Sequence, residues 1–184
     1  MMPRLLVLTD RAQLPEGREI VESIARCVDA GLTHVVLREL DLPRPERAAL
    51  AGALIDAGAV VIAAHERLPG CAGVHVPSAG TPTAGSWGRS CHSADDVERA
   101  KDEGASWVTL SPFATSVSKP GGRPTLSASA FAGHRLPVYA LAGIDVGNAA
   151  DARAAGAHGV AVMGAVMRAV DPARVVSGLL EAVA

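Results

Sequence analysis

The 184 residues carry 17 basic and 19 acidic side chains, a formal charge of −2, and are 49% hydrophobic but only 3% aromatic. This balance excludes the basic stripe that a nucleic-acid binder needs to neutralise phosphates, and the apolar share excludes wholesale disorder. The length suits one domain, whose core has to be filled by Val, Leu, Ile and Ala.

Three cysteines, Cys27, Cys71 and Cys91, are odd in number and outside any CxxC spacing, so neither a disulfide framework nor a structural zinc site is expected. A reducing cytoplasm is the expected compartment. The first apolar run, residues 5–8, is ended at once by Thr9-Asp10-Arg11. It falls short of the roughly 7–15 apolar residues of a secretion signal, and no window approaches the ~18 of a membrane span.

In chain order, residues 4–9 form the first predicted strand, and residues 16–30 an amphipathic helix with Ile20, Ile24 and Val28 on one face and Gly31 as its stop. Strand two spans 34–38 and precedes a helix over 45–57 closed by Gly58; strand three spans 60–64. The chain then compresses, with strands at 73–76 and 88–92. A helix over 94–103 has Ser93 as N-cap and Gly104 as its stop. Strand six, 107–110, leads into a polar loop over 111–125. A short helix from Ser127 and strand seven at 137–141 follow, then a helix over 146–155, strand eight at 159–163, and a last helix opened by Asp171-Pro172.

Eight apolar strands interleaved with helices imply parallel pairing through crossovers. Both a closed (β/α)8 TIM barrel and an open doubly wound sheet have that alternation. The open sheet usually carries a glycine-rich turn after strand one, and Leu8-Thr9-Asp10-Arg11 has none. The expected fold is therefore a single compact (β/α)8 barrel over 1–184. It is shorter than the usual minimum of about 200 residues, with shortened helices of a turn or two after strands three and four.

A barrel places its chemistry at the C-terminal ends of its strands. Here those ends are polar: Asp10-Arg11, Arg38-Glu39, His65-Glu66-Arg67, His75, Ser90-Cys91-His92, and the loop from Ser111 to Lys119. Gly143 and Gly164, in the loops after strands seven and eight, occupy the usual phosphate-binding position of such barrels, supported by the helix that follows Asp145. Thr115, Ser116, Ser118 and Lys119 offer hydroxyls and an ammonium to a second anion, the oxygens of a diphosphate. His65, His75 and His92 end three successive strands. Proton transfer or ligand hydrogen bonding suits them better than zinc, because their spacing matches no compact metal motif. Asp10 and Arg11 are read as an ion pair at the mouth, with a catalytic role as the alternative.

Seven segments in register resemble the thiamine phosphate synthase and thiazole tautomerase superfamily. They are Leu-Thr-Asp-Arg after strand one, Leu-Arg-Glu after strand two, Gly-Val-His-Val at strand four, Gly-Arg-Ser-Cys-His-Ser at strand five, Ser-Pro-Phe-Ala-Thr-Ser-Val-Ser-Lys after strand six, Ala-Leu-Ala-Gly-Ile after strand seven, and Gly-Val-Ala-Val-Met-Gly-Ala-Val at strand eight. The resemblance implies a (β/α)8 barrel that joins a pyrimidine-methyl diphosphate to a thiazole phosphate with loss of diphosphate. It implies small phosphorylated substrates and no nucleic-acid or membrane partner, and it leaves the oligomeric state open.

Carried onto this chain, the resemblance gives Arg38, Arg67, Thr115, Ser116, Ser118 and Lys119 to the diphosphate. Gly143 with Met163 and Gly164 goes to the thiazole phosphate, and Ser90 to the pyrimidine. It also implies Mg2+, with Glu66 at the position of the metal carboxylate. The chain departs from the synthase pattern there, because Glu66 replaces an aspartate and the second metal carboxylate falls near Gly80. Strand five looks more like the tautomerase branch, whose proton-moving histidine falls at Pro112. His65 or His92 is the substitute proton carrier. Three functions stay open at this point: transferase, tautomerase, and a non-catalytic binder of a phosphorylated thiazole or thiamine phosphate. Fold analogy alone adds a sugar-phosphate isomerase.

Overall fold

The computed structural model describes residues 2–115 and 123–184. Eight parallel strands close into a barrel in sequence order: β1 (Leu5–Leu8), β2 (His34–Leu37), β3 (Val60–Ala64), β4 (Gly73–Val76), β5 (Trp87–Cys91), β6 (Trp107–Leu110), β7 (Val138–Leu141) and β8 (Gly159–Val162). Leu5 pairs with Val160 and Val7 with Val162, which seals β1 to β8. Both faces of the strands are largely buried, so β1, β3 and β8 read as short apolar runs instead of alternating ones, whereas β4, β5 and β6 carry the polar His75, Arg89, Ser90 and Thr109.

Alternate residues serve two cores. Leu5, Val7, Val35, Leu37, Val61, Val108 and Val160 face outward and pack under the helices. Leu6, Leu8, Val36, Ile62, Ala64, Trp107, Tyr139 and Ala161 fill the interior. Trp107 supplies much of that filling. Gly88, its cross-strand neighbour, makes room for it, since a Cβ there would stand 2.3 Å from the indole. Tyr139 meets the indole edge-on at 5.9 Å.

The helices are α1 (Ile20–Asp29), α2 (Arg44–Asp56), α3 (Ala94–Asp102), α4 (Ala149–Ala154), α5 (Gly164–Met167) and α6 (Pro172–Ala182), with 3-10 turns at Arg11–Gln13 and Ala128–Phe131. The expected caps are present. Ser93 Oγ accepts the Asp96 N–H, and an Asp171 carboxylate oxygen accepts that of Arg174 ahead of Pro172.

Four expectations are corrected. No helix forms after β3 or β4, where the connections are turns alone. The first helix begins at Ile20, not at residue 16, because Gly17 sits at φ +75°. The helix after β7 begins at Ala149 because Asp145 and Asn148 spend their side chains on a local turn, with Gly147 N–H donating to Asp145 Oδ1 and Asp145 N–H to Asn148 Oδ1. Finally, α5 directly follows β8, where no helix was expected. Cys27, Cys71 and Cys91 are free thiols, and no helix among the described residues is long and apolar enough to cross a membrane.

Candidate active site at the barrel mouth

Parallel closure brings the C-terminal ends of all eight strands to one rim. Just inside it lies a buried polar cluster. His75 Nε2 is 3.2 Å from Thr109 Oγ1 and 3.5 Å from Ser90 Oγ, and the ring stacks on Trp107 at 5.0 Å and 15°. The register makes Thr109 and Ser90 cross-strand neighbours. Burial, reinforced by Arg38 and then His65, pushes the His75 pKa down to about 4, so the ring is neutral at physiological pH.

Arg38 reaches over this cluster. Its backbone N–H donates to Thr9 Oγ1 at 3.0 Å, and its Nη1 donates to Met163 Sδ at 2.9 Å. This cation makes no salt bridge with a carboxylate among the described residues, and its charge helps to lower the pKa of both His65 and His75. His65 follows β3 at φ +68°. Burial first, then Arg38 and Arg47, lower its pKa. His92 is held from both sides: its backbone N–H donates to Asp96 Oδ2 at 2.9 Å, and its ring Nδ1 lies 3.1 Å from the Ser111 carbonyl oxygen. An Nδ1–H bonded to that carbonyl leaves Nε2 as the basic atom. His65, His75 and His92 do not combine into a metal-holding group among the described residues.

On the opposite arc, Phe113 N–H donates to the Leu141 carbonyl and Ala114 N–H to that of Ala142, tying the β6 loop to the β7 loop. Gly143, at φ +67°, is pressed so closely against this loop that a Cβ would lie 2.6 Å from the Ala114 carbonyl carbon. Its carbonyl accepts Asn148 Nδ2 at 2.7 Å. The Arg168 guanidinium occupies the space where a Cβ on Gly164 would project, and it also donates to Gln13. Thr115, on the same arc, is exposed. Ser116, Ser118 and Lys119 lie outside the described residues.

The expected pairing of Asp10 with Arg11 is corrected. Asp10 and Arg11 do not pair: Asp10 accepts Gln13 Nε2 at 2.6 Å, and Arg11 binds Glu39 at 2.9 Å and Asp41 at 2.5 Å. Asp10, Arg11, Glu39 and Asp41 line a cleft of about 370 Å3 outside the β1 and β2 ends. Arg67 donates to the Ala84 carbonyl at 2.6 Å, bracing the loop after β4.

Glu66 does not fit a Mg2+ site. Its Oε2 accepts Arg44 Nε and its Oε1 accepts Arg47 Nη1, each at 3.1 Å. Arg47 is buried and also donates to the Ala64 carbonyl at 2.6 Å. No group of three His, Cys, Asp or Glu side chains among the described residues is arranged to hold a metal. Residues 116–122 contain none of these four residue types.

Sequence reasoning missed Thr109, Trp107 and the Arg44–Arg47 clamp. Thr109 in Trp-Val-Thr-Leu looks like ordinary strand composition. Its position two residues before Ser111, on the inward-facing alternation, was the available signal.

Comparison with known proteins agrees with this geometry. A family model described as thiamine monophosphate synthase matches residues 5–166. A protein of Geobacter sulfurreducens is 34% identical over 91% of this chain and 88% of its own length. The thiamine-phosphate synthase of Roseiflexus sp. (strain RS-1) is 31% identical over 90% of this chain and 79% of its own length. Thiamine phosphate pyrophosphorylase from Pyrococcus furiosus superposes with a TM-score of 0.82 at 22% identity, over 98% of this chain and 95% of that one, a likeness of fold. With the family model covering nearly the whole barrel, the chain belongs to the thiamine monophosphate synthase family.

Proposed function

We propose that this chain is a thiamine-phosphate synthase that joins a pyrimidine-methyl diphosphate to a thiazole phosphate and releases diphosphate. The observation that carries this reading is Arg38, a cation with no carboxylate partner among the described residues, placed beside a neutral polar cluster at the rim of a family barrel. Such a cation is positioned for charge that grows on a leaving group.

In the reaction, the bond between the pyrimidine methylene and the diphosphate oxygen breaks, and the electron pair stays on oxygen. The ring nitrogen of the thiazole donates its lone pair to the methylene carbon, which forms the new C–N bond. No proton has to be lost, because the nitrogen becomes a cationic thiazolium. The work left to the protein is positioning and charge stabilisation.

Arg38 and Arg67, with Thr115, Ser116, Ser118 and Lys119, hold the diphosphate. Gly143 and the Met163-Gly164 backbone hold the thiazole phosphate. Ser90 contacts the pyrimidine. His75, neutral and fixed between Thr109 and Trp107, presents a hydrogen-bonding ring beside Ser90 without adding a positive charge next to the electron-poor methylene carbon. The tautomerase reading is less well supported, because the position of its proton carrier holds Pro112, which has no titratable group.

The test supplies both substrates to the purified protein and measures thiamine phosphate and released diphosphate. Equal amounts of the two products are expected, with both lost in Lys119→Ala. Absence of both products, alongside solvent-proton exchange into a thiazole phosphate carboxylate, would replace the synthase with the tautomerase.

A further inference from the structure

We infer that the diphosphate end of this site is a metal-free anion pocket, in which Glu66 is the counter-ion of Arg44 and Arg47 and the leaving diphosphate is held by groups of the chain alone. The inference builds on the synthase reading, and it concerns the form in which that substrate is bound.

Mg2+ prefers a near-octahedral shell of oxygens at about 2.0–2.1 Å and is commonly held by one or two carboxylates together with phosphate oxygens and water. Glu66 offers neither oxygen freely, because a different guanidinium donates to each. An ion bound there would have to displace one arginine and stand against the other. The clamp is also structural. Arg44 Nη2 donates to the Arg67 carbonyl at 3.2 Å, and Arg47 Nη2 to that of Ala64, so the first turn of α2 fixes the β3 turn through Glu66.

Nothing nearby replaces Glu66. No Asp or Glu occurs between Glu66 and Asp95, a stretch that includes the connections after β3 and β4 and the first residues after β5. The other rim carboxylates have protein donors: Glu39 binds Arg11, Asp10 binds Gln13, and Asp145 binds the Gly147 amide. The rim is instead supplied with cations. Arg38 has no carboxylate partner among the described residues, and Arg67 is engaged there only by the Ala84 carbonyl. Heterolysis adds one negative charge to the diphosphate, and guanidinium groups can stabilise that charge without a metal.

Isothermal titration of the full chain with inorganic diphosphate, in EDTA and in excess Mg2+, tests the inference. Saturable binding in EDTA is expected, weakening as Mg2+ is raised, because complexation removes the free anion. Arg38→Ala should weaken it by roughly tenfold, the size of one lost charge-assisted contact. Glu66→Gln, folded by its melting curve, should keep binding in EDTA within about twofold, because Gln retains an acceptor for Arg47. Binding seen only with Mg2+, or strengthened about tenfold by it, overturns the inference.

Thiamine phosphate formation in the same two buffers separates the claims. Product made only with Mg2+ overturns the metal-free pocket and leaves the synthase standing. Diphosphate bound in EDTA with no product in either buffer overturns the synthase and leaves the anion pocket.

Discussion

Gly88→Ala probes the filled barrel most sharply. The added methyl carbon would sit 2.3 Å from Trp107 Cε2, 2.4 Å from Cδ2 and 2.6 Å from Cζ2. Carbon atoms rest at about 3.5–4.0 Å, so the indole has to retreat by more than an ångström. It has nowhere to go, because His75 stacks on one face, Tyr139 meets its edge, and Trp107 is 1% exposed. Overpacking of a tight core costs about 1–3 kcal/mol, and this geometry puts the substitution near ~3 kcal/mol. At roughly 2–4 °C per kcal/mol for a domain of this size, the melting temperature should fall by about 6–12 °C.

Urea denaturation followed by tryptophan emission measures the loss, and a double-mutant cycle with Trp107→Leu assigns it. In the Leu background the same Gly88→Ala change should cost less than ~1 kcal/mol, a coupling of about 2 kcal/mol. Equal costs in the two backgrounds would show that the indole does not occupy the space beside Gly88, and the layered interior would be wrong.

Other consequences follow from individual groups. The folded chain holds His75 neutral down to about pH 4, whereas the unfolded ring titrates near 6.5. The unfolded state therefore takes up that proton first as pH falls. Stability should be full above about pH 6.5 and decline toward pH 4 by up to ~3 kcal/mol. His75→Gln should flatten that part of the curve, and parallel curves for the two proteins would refute it. Arg38→Met should lower turnover by about a hundredfold while stability stays within ~0.5 kcal/mol, because no carboxylate loses its partner; a large loss of stability would make Arg38 structural. Glu66→Ala should destabilise the chain by about 1–3 kcal/mol, because buried Arg47 loses its counter-ion while Glu66 itself is partly solvated. An unchanged denaturation midpoint would contradict the clamp.

The barrel was legible in the sequence because of where its strands lie. A strand buried on both faces shows as a short apolar run, so Val60–Ala64, Gly73–Val76 and Trp107–Leu110 have the bounds that were expected. Helix ends marked by local chemistry, such as Ser93 and Asp171-Pro172, were equally readable. Tertiary choices were not. Arg47 has the composition of a helix surface, yet it is buried because Glu66 and the Ala64 carbonyl receive its donors. The stretch from Val146 to Asn148 has a helical pattern, yet the Asp145 and Asn148 side chains close a turn there. Arg11 stands beside Asp10 in the sequence, yet its partners are Glu39 and Asp41, 28 and 30 positions away. At the site, the strand-end rule located Arg38, Ser90, His75 and Gly143, but the stacking of His75 on Trp107 depends on cross-barrel geometry that no spacing encodes.

The most direct measurement is a crystal structure of the protein soaked with thiamine phosphate and diphosphate. The account predicts both ligands at the same barrel rim. The thiamine phosphate group should lie against the Gly143 and Gly164 backbone, and the diphosphate beside Arg38 with no metal on Glu66. Ligands bound in the cleft beside Arg11, or anywhere away from the C-terminal ends of the strands, would contradict it.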